Sequence, residues 1–486
     1  METKISTDLY ENTRLLYELL RADQNYDMIF RPIRVGDQQA CLYFINGFVK
    51  DEVLEKLLEF FYSLTPEDLP QDSEDLTKNQ IPYADVRLLT DLSEVMQSVL
   101  AGMACLLIDG YDACFTIDCR SYPMRSISEP DKDKALRGSR DGFVETLVYN
   151  TALIRRRIRS KDLVMELLQA GEASKTDIAI CYMAGRADPD LVDQLKERIQ
   201  NMKIDALPMN QESLAEVLYK GKWINPFPKF KYTERPDAAA ASLLDGKVLI
   251  LIDNAPTAMI LPATLLDIME EADDYYFPPI TGSYLRISRL VIAILTLFLT
   301  PLWLLLLEHP QWIPPGMEFI QVEGTIHIPV IWQLLFLEFA IDGLKLAAIN
   351  TPNTLSTPLS VIAGIVVGEF AVQSGWFNSE AMLYMAFVAI ANYTQSNFEL
   401  GYALKFMRLM LLILTEFFAL PGFLVGSILV CLFIGTNKTV SGKSYLYPLL
   451  PFSGKQLKRR ILKEQTKETE NKVERNRYKT RKKVRY

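Results

Sequence analysis

Two hydrophobic patterns divide the chain, and they change over near residue 290. Before it, short apolar runs alternate with amphipathic stretches. The run "CLYFINGFV" (41–49) reads as a strand closing on Asn46-Gly47, with the helical "DEVLEKLLEFFYSL" behind it. "SEVMQSVLAG" leads into "MACLLIDGYDACFTID" (103–118), two strands about an Asp109-Gly110 turn. Further on, "DIAICYM" (177–183) precedes the helical "DLVDQLKERIQ", and "KVLILID" (247–253) with "TAMILPA" (257–263) forms a second strand pair. The pattern predicts an α/β region of two subdomains, 1–126 and 127–285, the second opening with a helical joint, and no internal repeat.

After residue 290 the periodicity disappears into continuous apolar runs. Leu290–Leu307, "LVIAILTLFLTPLWLLLL", is 18 residues without a charge, about 27 Å of helix against a hydrocarbon layer of about 30 Å. Pro301 within it is tolerable in a membrane helix. Apolar stretches recur at 328–349, 357–372, 379–393 and 402–436, the last broken at Pro421-Gly422. The expectation is an α-helical polytopic membrane domain over 286–454 with about four spans, of which 357–372 or 379–393 is short, kinked or re-entrant.

Charge sharpens this division. Residues 1–290 carry a net −14, 291–454 a net −4 and 455–486 a net +10, giving −8 over 486 residues. A nucleic-acid protein shows a basic folded domain; here only the tail is basic, so no nucleic-acid partner is expected. Arg286 and Arg289 precede the first apolar run, while the loop 308–325 holds Glu308, Glu318 and Glu323 and no Lys or Arg. The positive-inside rule therefore places the N-terminal region and the basic tail, 455–486, in the cytoplasm, with an even number of crossings. "METKISTDLYENTRLLYELL" lacks the pattern of a cleavable signal peptide. The tail is expected on anionic lipid head groups.

Candidate chemistry is sparse. Six cysteines lie mostly in apolar runs, with Cys114 and Cys119 the only close pair and no zinc spacing. His309 and His327 are the only histidines, so the N-terminal region has no His-dependent triad or metal centre. "SGKS" (441–444) has Asn437 where a phosphate loop needs glycine, and it follows a membrane segment. No enzyme activity, cofactor or metal is expected.

The polar residues inside the apolar runs carry more information. Glu338, Asp342 and Lys345, spaced i, i+4, i+7, share one helix face. Charges at that depth face protein or water and mark an ion path or an internal pair. Asp342 and Lys345 are expected to neutralise each other in part, leaving Glu338 as the free acid. "NTPNTLSTP" (350–358) is polar and uncharged, suited to a cavity lining or a cytoplasmic turn. Gly364 and Gly368 offer a close helix contact, and Glu369 follows them. Acidic rings from several subunits build cation-selective pores, so Glu338, Asp342, Lys345 and Glu369 are pore-lining candidates.

Several ordered motifs carry a resemblance: "SEPDKDKALRGSRDGFVETLVYNTALIRRRIRS", "TDIAICYMAG", "TERPD", "LLDGKVLILIDNAP" and "DDYY". Together they resemble the GerA-type A subunits of bacterial spore germinant receptors, over residues from about 40 to about 455. "AINTPNTLSTPLSVIAGIVVGEFAVQSGWFN" is most similar to the SpoVAF (stage V sporulation protein AF) branch. The resemblance implies a spore inner-membrane protein with a two-part cytoplasmic N-terminal region, and homo-oligomers, with five copies as the precedent. It implies ion-channel action in germination and accessory amplification of the nutrient response, with monovalent cations, membrane lipid and other spore-membrane germination proteins as partners. "EFAIDGLKLAAINTP" (338–352) departs from the Arg-Glu pair typical of receptor A subunits. The alternatives are a non-conducting scaffold for germinant receptors or the dipicolinate-release complex, and a secondary transporter, which would favour inverted repeats.

The arginine-rich "RGSRDGFVETLVYNTALIRRRIRS" (137–160) belongs to these motifs. Phe143, Leu147, Thr151, Ile154 and Ile158 step by three or four, which predicts an apolar helix stripe. Arg155, Arg156, Arg157 and Arg159 cannot share one face, and Glu129, Asp141 and Glu145 are candidate partners. Glu129, Arg137, Arg140, Glu145, Arg155, Arg156 and Arg157 are accordingly expected at a joint between subdomains or subunits. A solvated basic helix end is the alternative.

Overall fold

The computed structural model describes residues 4–79, 81, 83, 85–121, 138–219, 225–271, 273–350, 364–395 and 397–463. Two compact units result, one built on Met1–Lys220 with Phe230–Pro262, the other on Gly221–Lys229 with Ala263–Thr469.

The first unit holds two five-stranded antiparallel sheets. In one, β1 (Met28–Val35), β2 (Gln38–Ile45), β3 (Val86–Leu89), β4 (Ala104–Ile108) and β5 (Cys114–Ile117) lie in the order β1-β2-β4-β5-β3. In the other, β6 (Leu163–Ala170), β7 (Thr176–Met183), β8 (Lys231–Thr233), β9 (Val248–Ile252) and β10 (Ala258–Leu261) lie in the order β6-β7-β9-β10-β8. The expected strand pairs are present: β4 with β5 about Asp109-Gly110, and β9 with β10. The central strands β4 and β9 are buried along their whole length, which is why each reads as an unbroken apolar run rather than an alternating one.

These orders are the same, and the likeness extends to single atoms. The expectation of no internal repeat is therefore corrected. Helices Leu9–Leu20 and Leu147–Arg157 precede the first strand of each sheet. The buried Asn12 amide braces the turn before its helix by bonding both the N–H and the carbonyl of Ser6. Asn150 does the same with Val144. Asp109 Oδ1 accepts from the first helical N–H at Leu9, 3.1 Å, and Asp253 Oδ1 from Leu147, 3.0 Å. Gly102 and Gly246 follow matching helices at φ 92° and 89°, where a Cβ would meet Phe48 at 2.4 Å and the Arg186 carbonyl at 2.7 Å. The repeat escapes sequence inspection because it survives in backbone caps and turns, while the intervening positions have diverged.

The second unit is helical. Pro279–Glu308 and Phe398–Gly435 are long and apolar enough to cross a membrane, by length and composition. Val330–Asn350 and Ser379–Tyr393 are the other substantial helices among the described residues of this unit, and 364–370 is a π-helical turn. The apolar run over 402–436, expected to break at Pro421-Gly422, doubles back. Ala419 leaves helical geometry (φ 46°, ψ −130°), two residues before Pro421, whose missing N–H and ring disfavour a continuous helix. Beyond it, a Cβ on Gly426 would lie 2.8 Å from Leu411, so glycine permits the returning segment to pack closely on the outgoing one. Leu404, Met407, Leu411, Val430, Ala293 and Leu297 share one core. The two flanks of the helical region also meet: the Leu265 N–H donates to the Tyr445 carbonyl at 3.0 Å.

Candidate functional site

In the first unit the arginine-rich helix Leu147–Arg157 sets the joint between the two sheets. Phe143, Leu147, Thr151, Ile154 and Ile158 are all buried, as the stripe requires. Arg155 lies between buried positions on that side and is completely buried. Its guanidinium holds Asp27 through Nε at 2.9 Å and Nη2 at 3.0 Å, and donates to Asn25 Oδ1 and the Leu163 carbonyl, each at 3.0 Å. Asn25 Oδ1 also accepts from the Met165 N–H on β6 at 2.8 Å. Tyr26 and Thr151 share a hydroxyl bond at 2.9 Å. The segment 25–27 before β1 is thus locked onto the second sheet by charge-assisted, bidentate bonds.

The neighbouring arginines diverge as the helix geometry demands. Arg157 pairs with Asp141 at 2.6 Å and bonds Ser139. Arg156 and Arg159 are exposed. Burial raises the Asp141 pKa, but the Arg157 and Ser139 hydrogen bonds outweigh it and hold the carboxyl below its ordinary value. Among the other joint candidates, Arg140 and Glu145 are exposed, Glu145 contributing its carbonyl to the Asn254 N–H at 2.7 Å. Glu129 and Arg137 lie outside the described residues. Asp27 and Asn25 escaped the sequence reading, being about 130 residues from their arginine. Their signal is the polar "QNYD" (24–27) just before β1.

In the second unit a buried charge cluster gathers on three helices. Glu338 on Val330–Asn350 accepts from Arg408 Nε at 2.7 Å and lies 3.4 Å from Lys405 Nζ. Arg408 also donates to the Thr296 carbonyl at 3.0 Å, tying Pro279–Glu308 into the cluster. Lys405 pairs with Asp342 as well. Glu338 is 4% exposed and Arg408 1%. Two expectations are corrected here. Glu338 is not the free acid, and Lys345 does not neutralise Asp342 at ion-pair distance. The cations come instead from Phe398–Gly435, whose Lys405 and Arg408 face the two acids, while Lys345 turns to aromatic rings. Lys345 lies over the rings of Tyr393 and Tyr402, 5.0 and 5.7 Å from their centroids.

Glu369 is different: it is exposed, bonded only by Gln373 at 3.1 Å among the described residues. Most of "NTPNTLSTP" lies outside the described residues. Gly364 is exposed and Gly368 half-buried, and among the described residues a Cβ at either would meet nothing within 4 Å, so the expected close helix contact is not made among them.

Where the first long helix begins, Arg289 pairs with Asp274 at 2.9 Å and Glu271 at 2.8 Å, and Arg286 with Glu270 at 2.9 Å. These two arginines served as positive-inside signals, yet local acids neutralise them. Arg460, in the helix Gly454–Ile461, pairs with Asp267 at 2.8 Å and Glu270 at 3.2 Å, so the start of the basic tail binds protein carboxylates. Five of the six cysteines are buried and Cys431 is exposed; burial pushes the Cys119 thiol up to about 11.

The chain is similar to known proteins along most of its length. Stage V sporulation protein AF of Bacillus subtilis (strain 168) is 38% identical over 436 residues, 89% of this chain and 88% of the relative. Spore germination protein B1 of the same organism is 28% identical over 474 residues, 95% of each chain. A crystal structure of the N-terminal domain of the A subunit of the Bacillus megaterium spore germinant receptor GerK3 covers 54% of this chain and 98% of its own, at 25% identity and a TM-score of 0.41. Residues 16–475 match the family described as Bacillus/Clostridium GerA spore germination protein. The chain belongs to that family, and is a spore-germination membrane protein.

Proposed function

We propose that this chain is a multi-pass subunit of the spore inner membrane that assembles with copies of itself, five by family precedent, into a cation channel that amplifies the germinant response. The observation that carries this reading is Glu369. It is an exposed carboxylate in the apolar stretch "GIVVGEFAV", beside the 57% exposed Phe370. A carboxylate facing lipid costs several kcal/mol, so it calls for water or a second chain; among the described residues of a single copy only Gln373 reaches it. A ring of such acids favours cations. Asp342, whose side chain is 26% exposed, is the second acid of the lining; Glu338 holds the bundle behind it. The Leu265–Tyr445 contact supports an even number of crossings, with both flanks on one side.

The Glu338–Arg408 pair favours a second reading, a non-conducting scaffold, since internal pairing of membrane acids serves stability alone. Subunit contact at Glu369 tests the first. In the full-length chain carrying Cys431→Ser, Glu369→Cys should form disulfide-linked copies on oxidation in vesicles. Exclusively monomeric chains under those conditions would contradict an oligomer closed around this position.

A further inference from the structure

The buried cluster holds three cations, Lys345, Lys405 and Arg408, against two carboxylates, Glu338 and Asp342. Lys405 and Arg408 account for both acids. The third cation is surplus to the ion pairing, and its surroundings differ in kind. Lys345 is 7% exposed, and among the described residues its ammonium meets no carboxylate at ion-pair distance. It meets two ring faces instead, those of Tyr393 and Tyr402. Asp342, one turn earlier on the same helix, keeps a buried Oδ1 without a hydrogen-bond donor among the described residues.

Ring faces carry the negative lobe of the aromatic quadrupole, so they attract a cation and repel an anion. A surplus positive charge alone would suit an anion site; the two tyrosine faces on the Lys345 ammonium argue for the opposite sign. The ring attraction strengthens where water is excluded. The space between the rings therefore selects a small or soft monovalent cation, and one is present in it, attached to the chain.

From this we infer that the Lys345 ammonium fills a monovalent-cation site formed by the ring faces of Tyr393 and Tyr402, one helical turn from the Asp342 carboxylate, acting as a tethered competitor that keeps free cations out. The inference rests on the channel reading, within which it gives the block of the resting state: a permeant ion gains the site when Lys345 leaves it. No bond is made or broken, and the exchange is one cation for another.

The test uses purified full-length protein in lipid nanodiscs, with N-methylglucamine chloride exchanged for potassium or tetramethylammonium chloride. Lys345→Met, and separately Lys345→Gln, should gain a cation-dependent rise in melting temperature of roughly 2 °C or more. Wild type and Lys345→Arg should show none, and Tyr393→Leu with Tyr402→Leu in the Lys345→Met background should abolish the gain. Folded neutral variants indifferent to all these cations would overturn the site. Potassium efflux from liposomes is read in parallel, with a severalfold increase expected in Lys345→Met over wild type. Efflux absent from every variant, with the thermal response present, would overturn the channel reading and leave the site standing.

Discussion

Glu338 and Arg408, 70 residues apart in sequence, are joined by a 2.7 Å charge-assisted bond in the apolar interior of the helical unit. Neither is reached by solvent to more than 4% of its surface. The pair ties Val330–Asn350 to Phe398–Gly435, and the Arg408 bond to the Thr296 carbonyl adds Pro279–Glu308. Removing Arg408 leaves Glu338 and Asp342 to share the single cation of Lys405 where water cannot compensate.

Arg408→Met should therefore destabilise the full-length protein by about 3–5 kcal/mol, the range for breaking a buried pair. The double variant Glu338→Leu with Arg408→Met should recover much of that loss, because no charge is left buried alone. Thermal unfolding in detergent measures both. A double variant as unstable as the single would show that the pair's geometry, rather than its charge balance, holds the helices.

Arg155 and Asp27 make the corresponding test in the first unit. Arg155→Ala and Asp27→Ala should each cost about 3–5 kcal/mol, and a double-mutant cycle should show strong coupling. Exposed Arg156→Ala should change stability by less than about 0.5 kcal/mol. Denaturant unfolding followed by near-ultraviolet signals distinguishes them. Equal effects at 155 and 156 would refute the joint.

If the two halves of the first unit are copies of one design, their buried asparagine braces should be worth the same. Asn12→Ala and Asn150→Ala each remove two bonds to backbone and leave Ser6 or Val144 unsatisfied. Each should cost about 1–3 kcal/mol. Hydrogen exchange at the Ser6 and Val144 amides would report the loss site by site; protection lost at one but not the other would break the equivalence.

Asp141 supplies a pH dependence. Its folded pKa lies below the ordinary value of 3.8, so between those pH values the unfolded chain binds the extra proton. The stabilisation is complete above the ordinary pKa and disappears as pH falls through the folded one. Arg157→Met should flatten the acid limb of a stability–pH curve and leave the neutral plateau lower. A limb of unchanged steepness would mean that other carboxylates set it.

Local signals made the strands, the stripe on the arginine-rich helix and the apolar runs readable, because each depends on neighbours within about ten residues. The partners of the buried charges were not readable. Asp27 meets Arg155 and Glu338 meets Arg408 only after the chain has folded back over more than sixty positions, and an ionisable residue gives no sign of its partner. The sequence pointed to Asp342 and Lys345 as a pair because they share a helix face; Lys405 on the facing helix was the better-placed cation. The reversal at Ala419 was half visible, as a break at Pro421-Gly422, without any indication that the chain returns along itself.

The most direct measurement of the central claim is potassium and sodium efflux from liposomes holding the purified full-length protein, alone and with co-expressed germination proteins. Wild type should conduct, and Glu369→Gln and Asp342→Asn should each reduce the flux severalfold with the oligomer intact. Well-folded oligomers that pass neither ion, alone or partnered, would contradict a channel and leave the scaffold reading.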